Sequence, residues 1–223
     1  MAKTKNYRHF CPVARSLEVI GEKWSLLVVR DLLRGPQRFT DLMKYLGGIT
    51  PKWLTARLRE LERAGIVERE SVEGRREVRY TLTKKGRDLA PVVEALAVWG
   101  IEHAQRPPLP GEAIYPEQTL SAVTMSLNSH RHRLDEPATW LLSFGQSGTH
   151  ILRYDGEHWS AQPGQAGADV TATITPEDWM RFLGARRLER AALLPTLHLE
   201  GEGDRIAEFE RTFGIRRAGS SAD

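Results

Sequence analysis

Cysteine is almost missing from this chain. Cys11 is the sole thiol, so no internal disulfide can form, and any disulfide must join two subunits or a small thiol. Long apolar runs are missing as well; none approaches the roughly 18 residues that span a bilayer. Met1-Ala2-Lys3-Thr4-Lys5 is basic but no apolar stretch follows it. That excludes a secretory signal and makes the cytoplasm the expected compartment. The second half has no lysine at all. Residues 1–106 hold 21 Lys+Arg against 13 Asp+Glu, which leaves 11 against 16 of the chain's 32 and 29 for residues 107–223. A basic first half suits a polyanionic partner and an acidic second half does not. Catalytic signatures are absent too. The chain has no His-Glu-x-x-His, no phosphate-cradling glycine loop and no Gly-x-Ser-x-Gly elbow. His130-Arg131-His132 lacks a second ligand group at metal spacing, and the acids of Gly201-Glu202-Gly203-Asp204 would repel a phosphate. No enzyme, metal site or cofactor is expected.

What the chain does have is concentrated in residues 11–82. At their centre is Gly48-Ile49-Thr50-Pro51-Lys52-Trp53-Leu54-Thr55-Ala56-Arg57-Leu58-Arg59-Glu60-Leu61. Thr50 suits a helix cap, and Pro51 suits the first helical position, where a missing N–H costs nothing. Leu54, Leu58 and Leu61 share one face; Lys52, Thr55, Ala56 and Arg59 share the opposite one. A short cationic face with a hydroxyl and a small residue is what a helix needs to enter a major groove. Ala64-Gly65 ends the helix, with Gly65 suited to the left-handed closing position. Residues 66–71 and 77–82 read as strands around the turn Glu73-Gly74-Arg75-Arg76, the second with Val78, Tyr80 and Leu82 alternating against polar neighbours. Helix plus basic hairpin is a winged helix-turn-helix. Its candidate DNA contacts are Thr50, Lys52, Trp53, Thr55, Arg57 and Arg59 on the helix, and Arg75, Arg76 and Arg79 on the hairpin. Lys52, Thr55 and Arg59 are expected to carry specificity, and the hairpin arginines affinity through phosphates.

This segment resembles the HxlR-type family of bacterial regulators, relatives of the MarR group. The resemblance rests on Cys11-Pro12-Val13, Ile20-Gly21-Glu22-Lys23-Trp24, Leu33-Arg34-Gly35-Pro36-Gln37-Arg38-Phe39, Leu42, Gly48-Ile49-Thr50-Pro51, Leu54, Arg57-Leu58-Arg59-Glu60-Leu61, Gly65-Ile66-Val67 and Tyr80-Thr81-Leu82-Thr83. It covers residues 8–104. It implies a homodimer bound to double-stranded DNA at a partly palindromic operator. Trp53 departs from it, where a smaller aliphatic residue is expected. The resemblance also raises Cys11 as a redox or electrophile sensor, since some members sense through a cysteine before this proline. A thiolate near a helix N-terminus with Arg8 and His9 close by would suit that role, and packing at a helix start is the plainer alternative.

Supporting elements precede and follow. Leu17 and Ile20 mark one helix face in residues 13–20; Trp24, Leu27, Val28 and Leu32 mark an inward face in the next. Thr40 is positioned to cap a helix over 41–46. Residues 83–104 read as a dimer helix, with Leu89, Val92, Val93, Leu96 and Trp99 giving more apolar surface than one small domain covers. Pro91 should kink or restart it. Arg106-Pro107-Pro108-Leu109-Pro110-Gly111 reads as a stiff linker.

The second half has a different rhythm. Val123, Met125 and Leu127 alternate as in a strand. Residues 139–144, 149–154 and 168–175 are strand-like, and Tyr154-Asp155-Gly156-Glu157-His158-Trp159 reads as an Asp-Gly hairpin. Thr175-Pro176-Glu177-Asp178 opens a helix whose apolar face is Trp179, Phe182 and Leu183. A short helix is expected over 189–194. Asp204 is placed to cap a last one, with Ile206, Phe209 and Phe213 inward. The expected fold class is α+β: a winged helix-turn-helix (residues 1–105), a linker (106–116), an α+β domain on an antiparallel sheet (117–215) and a tail (216–223). The element order of residues 117–215 resembles the sterol-carrier-protein-like fold, although the glycine and lysine expected before the last strand are missing from Leu193-Leu194-Pro195-Thr196. That resemblance implies an apolar cavity between sheet and helices. Its candidate lining is Met125, Trp140, Leu142, Phe144, Trp159, Trp179, Phe182, Leu183 and Phe209, although each of them taken singly reads better as core. The expected function is a homodimeric transcriptional regulator that answers to an apolar small-molecule effector. The alternatives are a thiol-sensing regulator acting through Cys11 with a purely structural second domain, and a lipid-carrying protein.

Overall fold

The computed structural model describes residues 6–71, 77–104, 106, 108–165, 167–185 and 190–215. The chain divides into two compact units, Met1–Val93 and Glu94–Asp223. The division falls inside a helix, upstream of the proline-rich linker.

The first unit opens with α1 (Pro12–Ile20), α2 (Ser25–Leu32), the short strand β1 (Gln37–Arg38), α3 (Phe39–Leu46) and α4 (Pro51–Arg63). β2 (Val67–Ser71), β3 (Val78–Leu82), α5 (Lys84–Arg87) and the start of α6 (Ala90–His103) follow. The strands form an antiparallel sheet in the order β1-β3-β2. β1 is too short to show in the sequence, and it moves the start of α3. Pairing of Gln37 and Arg38 with β3 lets Phe39 begin the helix, so Arg38 and not Thr40 is the N-cap, and the Arg38 N–H donates to Asp41 Oδ2 at 3.1 Å. The inward stripe of α2 is also offset from expectation. Val28, Val29 and Leu32 are buried, Trp24 is half-buried at the N-cap, and Leu27 is exposed.

Gly65 has φ 67° and closes α4 in the left-handed region, as its position suggested. Gly86 matters for a different reason: a Cβ there would stand 2.2 Å from the Ile66 carbonyl oxygen. The residues expected to form one dimer helix make two. Thr83 Oγ1 accepts from the Gly86 N–H at 3.1 Å and caps α5, and the chain restarts as α6. Pro91 is then the second residue of α6, where no helical partner for its nitrogen is needed.

The second unit contains α7 (Pro116–Ser129), β4 (Ala138–Ser143), β5 (Thr149–Tyr154), β6 (Trp159–Pro163) and β7 (Val170–Thr173). α8 (Pro176–Gly184), a 3-10 turn (Arg190–Thr196), β8 (His198–Gly201) and α9 (Gly203–Thr212) complete it. The sheet order is β6-β5-β4-β7-β8. Three expectations are corrected. First, the Val123, Met125, Leu127 alternation lies on α7 and not on a strand. Leu120, Val123, Thr124 and Leu127 also satisfy the helical period, Pro116 begins the helix, and Leu120, Val123 and Thr124 are its buried residues among these. Second, the sheet is mixed. The chain crosses over after β6, so β7 joins β4 in parallel register, Trp140 opposite Val170; the other pairs are antiparallel. Third, Asp204 lies in the first turn of α9, and Glu202 is its N-cap without a side-chain bond.

Local signals hold elsewhere in this unit. Tyr154 pairs with Trp159 across the hairpin turn, and Asp155 Oδ1 accepts from the Glu157 and His158 N–H groups at 2.8 and 2.7 Å. Those bonds hold the Asp155 carboxyl below its ordinary pKa. Thr175 Oγ1 accepts from the Asp178 N–H at 3.1 Å and caps α8. Gly86→Ala is expected to destabilise the first unit by about 1–3 kcal/mol, the cost of forcing an atom into closed packing. A urea titration followed by circular dichroism reads this; an unchanged midpoint would show that α5 can move off the Ile66 carbonyl.

Candidate nucleic-acid interface

α4 is built as its sequence suggests. Thr50 is extended at the N-cap, its Oγ1 accepts from the Trp53 N–H at 3.3 Å, and Pro51 follows. Leu54, Leu58 and Leu61 are buried beneath the helix. Lys52, Trp53, Arg59 and Arg63 are exposed, with Thr55 and Ala56 half-buried between them. Among the described residues none of Lys52, Arg59 and Arg63 is in an ion pair or side-chain hydrogen bond. A cation left in water on a rigid face keeps its full charge for an incoming phosphate or base edge.

Arg57 does not join them. Its side chain is 6% exposed and turns under the helix to Glu60 and, at 3.6 Å, to Glu22. It lies three positions after Leu54 and four before Leu61, so it shares their inner face. The expectation that Arg57 contacts DNA is therefore corrected: it ties α4 to the loop between α1 and α2. Arg63 joins this face without being among the expected contacts. It lies one turn beyond Arg59 on the same face, and the Lys52, Ala56, Arg59, Arg63 spacing carried that signal.

The hairpin of β2 and β3 holds its register from Val67 opposite Leu82 to Ser71 opposite Val78. Arg75 and Arg76, the expected tip contacts, lie outside the described residues. Arg79 is described, and Glu77 holds it: the Arg79 Nε donates to Glu77 Oε1 at 2.6 Å, and Arg38 bonds the same carboxylate. Those two bonds, Arg79's the larger, hold the Glu77 carboxyl below its ordinary pKa. Val78, expected inward, is exposed, while Tyr80 and Leu82 are buried. Arg69 lies over the Tyr80 ring, its guanidinium 5.5 Å from the centroid.

The expected dimer residues separate into two groups. Val93 is buried and Leu89 packs against the first unit's core, so these two are accounted for within the subunit. Val92, Leu96 and Trp99 are exposed, the last by 58%. A second apolar set is also exposed: Phe10 at 97%, with Val13 and Leu17 on α1. Cys11 is the half-buried N-cap of α1 and makes no side-chain cap bond.

The expected ligand-lining residues mostly pack against one another. Trp140, Leu142, Phe144, Trp159, Trp179, Phe182 and Phe209 are all buried in one cluster. Trp140 lies 5.1 Å from Trp159 and 5.0 Å from Phe209 between ring centroids. Met125 is half-buried on α7. A cavity of about 470 Å³ does exist in the second unit, but Leu183 alone of the expected set lines it. Its walls include Ile101, Tyr115, Thr119, Met180 and Phe213. The Arg106–Glu112 pair also lines it, with two hydrogen bonds of 2.8 Å each. Arg106, and after it the Leu109 N–H, lower the Glu112 pKa to about 2. The aromatic residues were legible as apolar but not as filled volume, which depends on how side chains interlock.

Among the described residues no group of His, Cys, Asp and Glu is placed to hold a metal ion, and no helix is long and apolar enough to cross a membrane. Residues 19–107 match the family model described as HxlR-like helix-turn-helix. The chain is 39% identical over 97 residues to the uncharacterised HTH-type transcriptional regulator YdeP of Bacillus subtilis strain 168, covering 43% of this chain and 76% of that one. It is 37% identical over 111 residues to YkvN of the same organism, also an uncharacterised HTH-type transcriptional regulator, covering 48% and 94%. Among solved structures it is similar to the reduced form of the transcriptional regulator YodB from B. subtilis, with 34% identity and a TM-score of 0.38, covering 43% of this chain and 95% of that one.

Proposed function

The chain belongs to the HxlR-like helix-turn-helix family of transcriptional regulators, and on that premise we propose that it reads DNA as a homodimer through α4. The observation that carries this reading is the row of unpaired cations Lys52, Arg59 and Arg63 on the outer face of a capped, well-anchored helix. Lys52, Thr55 and Arg59 meet base edges in the major groove of a partly palindromic operator. Arg63 and the wing arginines Arg75, Arg76 and Arg79 follow phosphates. Val92, Leu96 and Trp99 on α6 and, as a separate set, Phe10, Val13 and Leu17 are exposed apolar side chains for a second subunit to cover.

The second unit is proposed to adopt the sterol-carrier-protein-like fold and to take an apolar effector in its cavity of about 470 Å³, a size ordinary for small-molecule sites. The domains of the working protein are taken as residues 1–105, the linker 106–116, the effector domain 117–215 and the tail 216–223. An effector acts by binding the DNA-competent and incompetent dimers with different affinity. A second reading places the switch at Cys11, favoured by a half-buried thiol at the N-terminus of α1. Cys11→Ser separates the two: loss of an oxidant response in DNA binding supports the thiol switch, and a retained one removes it.

Native mass spectrometry of the full chain tests the assembly. A dimer carrying an apolar molecule of fitting size is the expected result; a monomer contradicts the dimer, and a ligand-free dimer that no apolar compound stabilises contradicts the effector. Binding to an operator selected from random duplexes tests the contacts. Arg59→Ala should cost about 1–3 kcal/mol on that operator and little on unrelated DNA. Arg63→Ala should weaken both and lower the salt slope by about one. Equal losses from Arg59→Ala on all DNA would make it a phosphate contact instead.

A further inference from the structure

Trp53 is the residue whose placement the fold does not explain. It is the third residue of α4, and its side chain is 60% exposed. Its backbone N–H is used by the Thr50 cap. Among the described residues its indole has no aromatic, cationic or hydrogen-bonded partner. A buried tryptophan would cover about 150–250 Å²; here most of that surface faces water. The next residue, Leu54, is buried, so a turn of about 100° decides the difference.

Four features of the helix give that surface a use. Helical side chains tilt toward the N-terminus, so the indole projects over the first turn, the end of a reading helix that meets base edges. Ala56, one turn on, adds no bulk beside it. Arg57, which could have screened it from below, is held by Glu60 and Glu22. Lys52 stands next to it in the chain and supplies the charge that brings the face to DNA.

The chemistry available to an indole there is narrow. It has one N–H donor and no charge, so it is a poor phosphate ligand beside three free cations. Aromatic and aliphatic wedges that part base steps act from the minor groove. That groove is about 6 Å wide and does not admit a helix about 10–12 Å across. In the major groove the apolar feature on a base edge is the C5-methyl of thymine. We infer that Trp53 is a specificity-determining residue whose indole packs on the C5-methyl of one thymine in each operator half-site. This rests on the proposed role of α4 as the reading helix, and it adds a large apolar side chain to a face otherwise made of cations, a hydroxyl and the small Ala56.

Deoxyuracil differs from thymidine by that methyl alone, which gives a direct test. An operator is first selected from random duplexes with the full-length wild-type protein. Each thymine is then replaced in turn by deoxyuracil, and affinity is read by fluorescence anisotropy at fixed salt. One thymine per half-site should show a loss of about fourfold, the weight of one buried methyl group. Trp53→Ala should bind the thymine operator more weakly than wild type does, and should bind thymine and uracil forms equally. Trp53→Leu should recover part of the discrimination. Because the side chain is exposed, the variants should keep the wild-type melting temperature. Wild-type binding that is insensitive to uracil at every position overturns the assignment of Trp53 and leaves α4 as the reading helix. So does a Trp53→Ala variant that keeps the discrimination. Failure of the wild type to select any sequence removes both.

Discussion

Leu54, Leu58 and Leu61 lie fully within the first unit's core, and their burial sets the rotation of α4 about its own axis. Each buried leucine contributes about 1.5–3 kcal/mol. A slip of one residue would turn the helix by about 100°. It would put leucines into water and drive the Lys52 and Arg59 side toward the core. The outer face is therefore fixed by apolar contacts on the opposite side and not by anything on the face itself. Arg57 reinforces the choice. Itself buried and paired with the part-exposed Glu60 and Glu22, it is a charge that cannot leave its partners cheaply. One helix thus carries four cations, one spent on position and three left available.

The same division of labour recurs at the base of the wing. Glu77 receives Arg79 and Arg38, which joins β3 to the start of α3 by charge as well as by the β1–β3 ladder. An arginine held in this way is oriented, and its remaining N–H groups keep a fixed direction. The cap at Thr83 serves similarly. Its Oγ1 donates to the Gly65 carbonyl at 2.6 Å and accepts from Gly86, so the end of α4, the wing and α5 meet at one hydroxyl. The close approach of Gly86 to Ile66 completes that joint.

Signals confined to a few neighbouring residues were legible in the sequence. Thr50-Pro51, Gly65, the Asp155-Gly156 turn and Thr175-Pro176 each determine a backbone bond or dihedral locally, and the structure forms them where expected. Signals that depend on which partner arrives later were not. The alternation at Val123, Met125 and Leu127 fits two periods, and Pro116 with Leu120 tips it to a helix. β7 pairs with β4 in parallel because the chain crosses over after β6, a choice made by distant residues. Arg57 read as one more cation on a basic helix until its inner position was seen. Trp140 and Trp159 read equally as wall or filling, and packing made them filling.

As proposed, α4 lies in a major groove, and two copies do so at once. Dimethyl sulfate footprinting on the selected operator distinguishes grooves, because it methylates guanine N7 in the major groove and adenine N3 in the minor groove. Guanine N7 protection in two patches related by the operator's dyad is the expected result. Protection confined to adenine N3, or a single unpaired patch, would contradict it.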